Sequence, residues 1–324
     1  MADREKRSRR GKAAVQIAKW AVTVGLCAYV LYAVPLEDVP AIAKEIDARY
    51  LAIGIIISLT HRVIFAWRWH VLLPAAGVRH PVLHTVGLHF IALFYQNFAP
   101  STIGGDMTKG YLAAKGHDAR GVDVAASVVA DRGVGLVSLV VMGLLSTVII
   151  EVPGLRLVLW GLVGAGIVGS GLVWLWTRSA GGQEDGAGEE APSRGIVGAA
   201  AGKVRQTAVA LVAYREHKMA LVAALGISCF GVVVAGLALR YWCLAFGFDL
   251  GLAWAVGVTV IATIVGMIPI SINGLGWTEG AKIVLLGMAG MGQPAALALS
   301  VLQRVVATLF TLIGGVLQFY RKPS

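Results

Sequence analysis

The stretch Pro269-Ile270-Ser271-Ile272-Asn273-Gly274-Leu275-Gly276-Trp277-Thr278-Glu279, with Lys282 just beyond, interrupts a long apolar run. A second stretch repeats the design: Asn97-Phe98-Ala99-Pro100-Ser101-Thr102-Ile103-Gly104-Gly105-Asp106, followed by Lys109. In each, proline and glycine break a helix, and a carboxylate and an amine follow at a spacing of three. That spacing puts the two charges on one helical face. Helices broken at corresponding places in two halves of a membrane chain point to a binding site near the bilayer midplane.

The surroundings are those of a membrane chain. Of 324 residues, 57% are hydrophobic and 14% charged, with a mean hydropathy of +0.75. Soluble domains carry about 25% charged residues. The apolar runs do not alternate with period two, which argues against a β-barrel, so the expected fold is an all-α polytopic bundle. Unbroken spans are expected over 14–34, 50–73, 122–150, 155–177, 219–246 and 294–319, with broken regions over 82–114 and 252–288.

Loop charges set the topology. Arg4, Lys6, Arg7, Arg9, Arg10 and Lys12 precede the first span, so most of the net charge of +10 reads as a positive-inside signal rather than a nucleic-acid surface. Such a flank also suits anionic headgroups. The first span lacks a small-x-small cleavage site and reads as an uncleaved signal anchor. Residues 35–49 hold four acidic and two basic residues, hence lie outside, whereas Arg194, Lys203, Arg205, Arg215 and Lys218 mark a cytoplasmic segment. All loops agree only if both broken regions are re-entrant hairpins entering from opposite faces, with both termini cytoplasmic.

One membrane domain over 1–324 is therefore expected. Its first half is 14–177 with a hairpin at 82–114, and its second half is 219–319 with a hairpin at 252–288. A cytoplasmic linker spans 178–218, with a Gly- and acid-rich flexible stretch at 181–190. The halves look like an inverted repeat: Arg68 and Arg240 are 172 residues apart, as are Arg132 and Arg304, and Ser127-Val128-Val129 resembles Ser300-Val301-Leu302.

Ionisable residues within spans are costly and usually face a cavity or partner. Candidates for a binding site are Asn97, Gly104, Gly105, Asp106, Lys109, Asp131, Arg132, Arg240, Asn273, Gly274, Gly276, Glu279, Lys282 and Arg304. The glycines would expose helix N-terminal amides to an anion such as phosphate. Arg132 or Arg240 would grip a lipid phosphate, and Arg304 is a candidate partner for Asp131. Two other readings stay open. The Asp106/Lys109 and Glu279/Lys282 pairs could simply neutralise themselves, and Arg68, with Arg62 nearer the cytoplasmic end, could snorkel. His61, His70, His84 and His89 lack metal spacing, and Cys27, Cys229 and Cys243 lie singly in apolar runs. Gly202-Lys203 lacks the context of a phosphate-binding loop, and no cofactor is expected.

Three elements together resemble the lysylphosphatidylglycerol synthase transmembrane family. They are Asn97…Pro100…Gly104-Gly105-Asp106, Asp131-Arg132-Gly133, and Pro269…Asn273-Gly274-Leu275-Gly276…Glu279. The resemblance implies a flippase-like domain of the bacterial inner membrane that moves or binds a phospholipid or an aminoacylated relative. The chain ends at Ser324, so the aminoacyltransferase domain of longer relatives, and with it the synthase activity, is not expected. A lipid translocase without its own chemistry is the leading expectation. The alternatives are an integral-membrane lipid transferase using Asp106, Asp131 or Glu279 as base, and a lipid-presenting partner of a separate synthase. Expected partners are membrane lipids and such a synthase, in a monomer or a homo-oligomer.

Overall fold

Long apolar runs must fold as helices in lipid, because every backbone amide and carbonyl then bonds within its own segment. The computed structural model describes residues 45–98, 104–115, 121–148, 160–161, 214–268, 271 and 274–320. Regular structure among them is entirely helical. In chain order the helices are α1 (Ala48–Leu72), α2 (Val82–Phe98), α3 (Gly104–Ala114), α4 (Gly121–Ser146), α5 (Lys218–Ala245), α6 (Leu252–Met267), α7 (Trp277–Met288) and α8 (Gln293–Tyr320). Short 3₁₀ turns at Leu73–Ala76 and Tyr214–His217 follow α1 and precede α5. Among the described residues, four helices are long and apolar enough to cross a membrane: Ala48–Ala76, Gly121–Ser146, Lys218–Ala245 and Gln293–Gln318. These match four of the expected spans. The expected spans at 14–34 and 155–177, and most of the linker, lie outside the described residues.

The chain divides into two compact units. One comprises Met1–Val63, His89–Asp106 and Gly231–Pro323, and the other Ile64–Leu88 with Met107–Phe230.

In the first unit, α7 packs against both α6 and α8. The start of α1 is tied to the end of α5 by the Asp47 amide donating to the Ala245 carbonyl at 2.9 Å. Trp242 donates its indole N–H to Ser58 Oγ at 3.1 Å. Helix α8 carries Ser300, Gln303, Arg304, Thr308 and Thr311 at spacings of three and four, which builds one polar strip on an apolar helix. Thr308 and Thr311 return their hydroxyl protons to carbonyls of their own helix, at 3.0 and 2.7 Å, the usual way to hide a hydroxyl in an apolar setting. Gly314 lets α8 lie directly on α2: a Cβ there would run into the Phe90 carbonyl and sit 2.8 Å from the Ile91 amide. Gly314→Val is accordingly expected to destabilise by about 1–3 kcal/mol, the usual cost of overpacking. Thermal unfolding of the detergent-purified protein measures it; an unchanged midpoint would mean that α8 sits further from α2.

The second unit has two apolar clusters. Trp69, Leu73, Val78, Leu88, Ala113, Val124 and Val128 form one. The other gathers Leu72, Ala126, Ala130, Tyr214 and Ala224. The Tyr214 hydroxyl donates to the Leu72 carbonyl at 3.0 Å, satisfying an acceptor left over at the end of α1. Burial pushes the Tyr214 phenol pKa upward.

Candidate functional site

The intramembrane charges fall into two constellations, one in each unit. In the second unit, Asp131 of α4 is buried and shared by two cations. Arg68 Nε lies 2.7 Å from its Oδ1 and Lys109 Nζ 2.9 Å from its Oδ2. The Arg68 guanidinium also donates to Ser228 Oγ at 2.9 Å, and Ser228 meets Ser138 at 2.6 Å. Lys109 lies over the face of Trp69 at 4.1 Å, while the Trp69 indole donates to Ser127. Gly135 leaves room for the guanidinium, since a Cβ there would lie 3.0 Å from Arg68 Nη1. Such a cluster, closed on itself by short charge-assisted bonds, is a structural lock.

The first unit is built differently. Helix α7 starts after Gly274 and Gly276, both at positive φ (70° and 75°), a conformation that glycine adopts without a Cβ clash. Glu279, one turn in, accepts the Gly276 N–H at 2.8 Å through Oε2. Its other oxygen takes Arg304 of α8, with Nε at 2.7 Å and Nη2 at 2.6 Å. A carboxylate at a helix N-terminus is stabilised by the helix dipole as well as by the amide.

Beside this pair is a cavity of about 220 Å³, lined among others by Arg62, Trp242, Thr259, Thr263, Lys282 and Gln303. Lys282 Nζ donates to Gln303 Oε1 at 3.0 Å. Arg62 donates to the Ser58 carbonyl at 2.7 Å and lies 4.8 Å over the Phe310 ring. Among the described residues, no aspartate or glutamate lines the cavity. Among the described residues, no carboxylate pairs with either cation within 4.0 Å. Chemically, two cations in such a lining suit an anion.

The candidates read from the sequence are thus sorted. Lys109 joins Asp131, and Glu279 joins Arg304 and Gly276, while Lys282 alone of the candidates described lines the cavity. Arg304 pairs with Glu279 rather than Asp131, whose partners are Arg68 and Lys109. Glu279 and Lys282 do not bond one another directly: Glu279 turns back to its own helix start and Lys282 turns to Gln303. Arg68 does not snorkel; it is buried. Arg240 bonds Asp249 at 2.9 Å near the exposed end of α5 and does not line the cavity. The Gly276 amide, expected to await an anion, already holds Glu279. Asn97 donates to Thr311 at 3.1 Å. Gly104 opens α3, Gly105 is buried against Ala92 and Gln96 of α2, Asp106 is half-buried and Arg132 exposed. Asn273 lies outside the described residues.

Arg62 and Gln303 were the residues to find. Gln303 immediately precedes Arg304 as Asp131 precedes Arg132, 172 positions earlier. Lys282 likewise follows Lys109 by 173 positions. Lys109 thus meets a carboxylate, Asp131, where Lys282 meets an amide, Gln303.

No solved structure matches the chain. It is 23% identical over 299 residues to a UPF0104 membrane protein of Methanothermobacter thermautotrophicus, covering 88% of each chain. Residues 16–315 match the family described as "Lysylphosphatidylglycerol synthase TM region". With its spanning helices, its two broken regions and a match over nearly its whole length, the chain belongs to the lysylphosphatidylglycerol synthase transmembrane-region family.

Proposed function

We propose that this chain is a lipid translocase of the bacterial inner membrane, which carries a phospholipid headgroup through the bilayer and does no covalent chemistry of its own. One observation carries the reading: two cations without carboxylate partners among the described residues line a cavity of about 220 Å³ within apolar helices. Cations at that depth are costly unless something anionic meets them. A headgroup phosphate matches them in charge and in hydrogen-bonding capacity, and its acyl chains stay in lipid. In this reading the two broken regions are re-entrant hairpins inserted from opposite faces, and the halves are an inverted repeat rocking about the site.

The test is reconstitution of the purified full chain into vesicles carrying fluorescent phosphatidylglycerol in both leaflets, with a membrane-impermeant quencher outside. Quenching of the inner-leaflet label, above that in protein-free vesicles, is the expected result. Protection equal to that of empty vesicles would overturn the proposal. A new covalent lipid in the extract would replace it with transferase activity.

A further inference from the structure

The two halves carry the same residues wired differently, and the difference bears on what the cavity accepts. In the second unit, Asp131 gives Lys109 and Arg68 a shared counter-charge. In the first unit, the corresponding position is Gln303. Its Oε1 accepts one hydrogen bond from Lys282 but supplies no charge. Arg240, the counterpart of Arg68, is engaged by Asp249. Glu279 is committed to Arg304 and the Gly276 amide. No carboxylate described in the first unit therefore bonds Lys282 or Arg62 directly.

We propose that Gln303, standing where the first half has Asp131, sets the cavity's selectivity: it admits net-anionic, phosphate-bearing headgroups and disfavours aminoacylated headgroups that bring a cation of their own. The inference rests on the headgroup-binding reading above and narrows it to one substrate class. The physical cause is simple. A phosphate diester brings one negative charge to two cations, and the Gln303 amide N–H group donates to its oxygens. A lysyl ester would add an ammonium with no carboxylate to receive it, and like-charge juxtaposition in a site of low dielectric is strongly unfavourable. A carboxylate at 303 would close the cavity onto Lys282, as Asp131 closes on Lys109.

The experiment measures thermal stabilisation of the detergent-purified full chain by short-chain phosphatidylglycerol, by short-chain lysyl-phosphatidylglycerol and by inorganic phosphate. Wild-type protein should bind phosphatidylglycerol about tenfold or more tightly than the lysyl form, the size expected for one charge-assisted contact. Gln303→Glu, nearly isosteric, should erode that ratio by about tenfold while leaving the ligand-free unfolding midpoint equal or higher. Gln303→Met, which removes the amide without adding charge, should keep the preference. Equal affinity of wild type for both lipids, or a ratio unchanged in Gln303→Glu, would overturn the proposal. Competition between inorganic phosphate and phosphatidylglycerol would support it by locating recognition in the phosphate. Binding of inorganic phosphate but of neither lipid would overturn both this proposal and the translocase. Selective binding without leaflet transfer would support the selectivity and overturn the translocase alone.

Discussion

Asp131→Asn is expected to lower the stability of the protein by about 3–5 kcal/mol, the usual cost of stripping a buried ion pair of one partner. Two cations lose their counter-charge at once, because Arg68 and Lys109 hold opposite oxygens of the same carboxylate. Asparagine keeps the shape and one acceptor but leaves both positive charges buried. Lys109 retains the Trp69 face and Arg68 the Ser228 hydroxyl, contacts too weak to replace the charge. Total stabilities are commonly about 5–15 kcal/mol, so the loss should be visible as poor recovery of monodisperse protein and a lowered unfolding midpoint. Adding Lys109→Met should restore part of it, since only Arg68 then lacks a partner. The double-mutant cycle measures the coupling. A wild-type midpoint in the single variant would show that Asp131 is not the common anchor of these helices.

The second large effect falls on ligand binding rather than folding. Arg62→Gln with Lys282→Gln removes both cations of the cavity. Hydrogen bonds to charged groups are worth about 1.5–3 kcal/mol each, so affinity for phosphatidylglycerol should drop about a hundredfold or more, and leaflet transfer in vesicles should fall to background. Stability should hold or rise, because neither residue has a carboxylate partner within 4.0 Å among the described residues. The opposite signs are informative. Asp131→Asn breaks a lock, whereas the double substitution relieves a cationic cavity. Transfer surviving at the wild-type rate would place the headgroup elsewhere.

Helices were legible in the sequence because lipid leaves an apolar run no other way to satisfy its backbone. Spans expected at 50–73 and 219–246 meet helices at Ala48–Leu72 and Lys218–Ala245. The two Pro/Gly breaks were equally plain, since the residue types impose them. Pairing was not. Which charge meets which depends on how each helix is rotated, and Arg68 and Asp131 are 63 residues apart in the chain. Spacing within α7 suggested that Glu279 would face Lys282, yet the carboxylate is drawn to its own helix start, where amide and dipole favour it. Gln303 escaped notice for a different reason. A search for intramembrane charge passes over an amide, although Gln303 precedes Arg304 as Asp131 precedes Arg132.

The Glu279 arrangement has a consequence for the proposed translocation cycle. A carrier completes part of every cycle unloaded, and a polar break in a helix is the element most prone to collapse on that leg. Here the break holds its own substitute for a ligand: the Glu279 carboxylate sits on the Gly276 amide, and Arg304 fastens it to α8. The start of α7 is therefore held by the protein's own groups. In the proposed translocation, reloading then needs no refolding at this break.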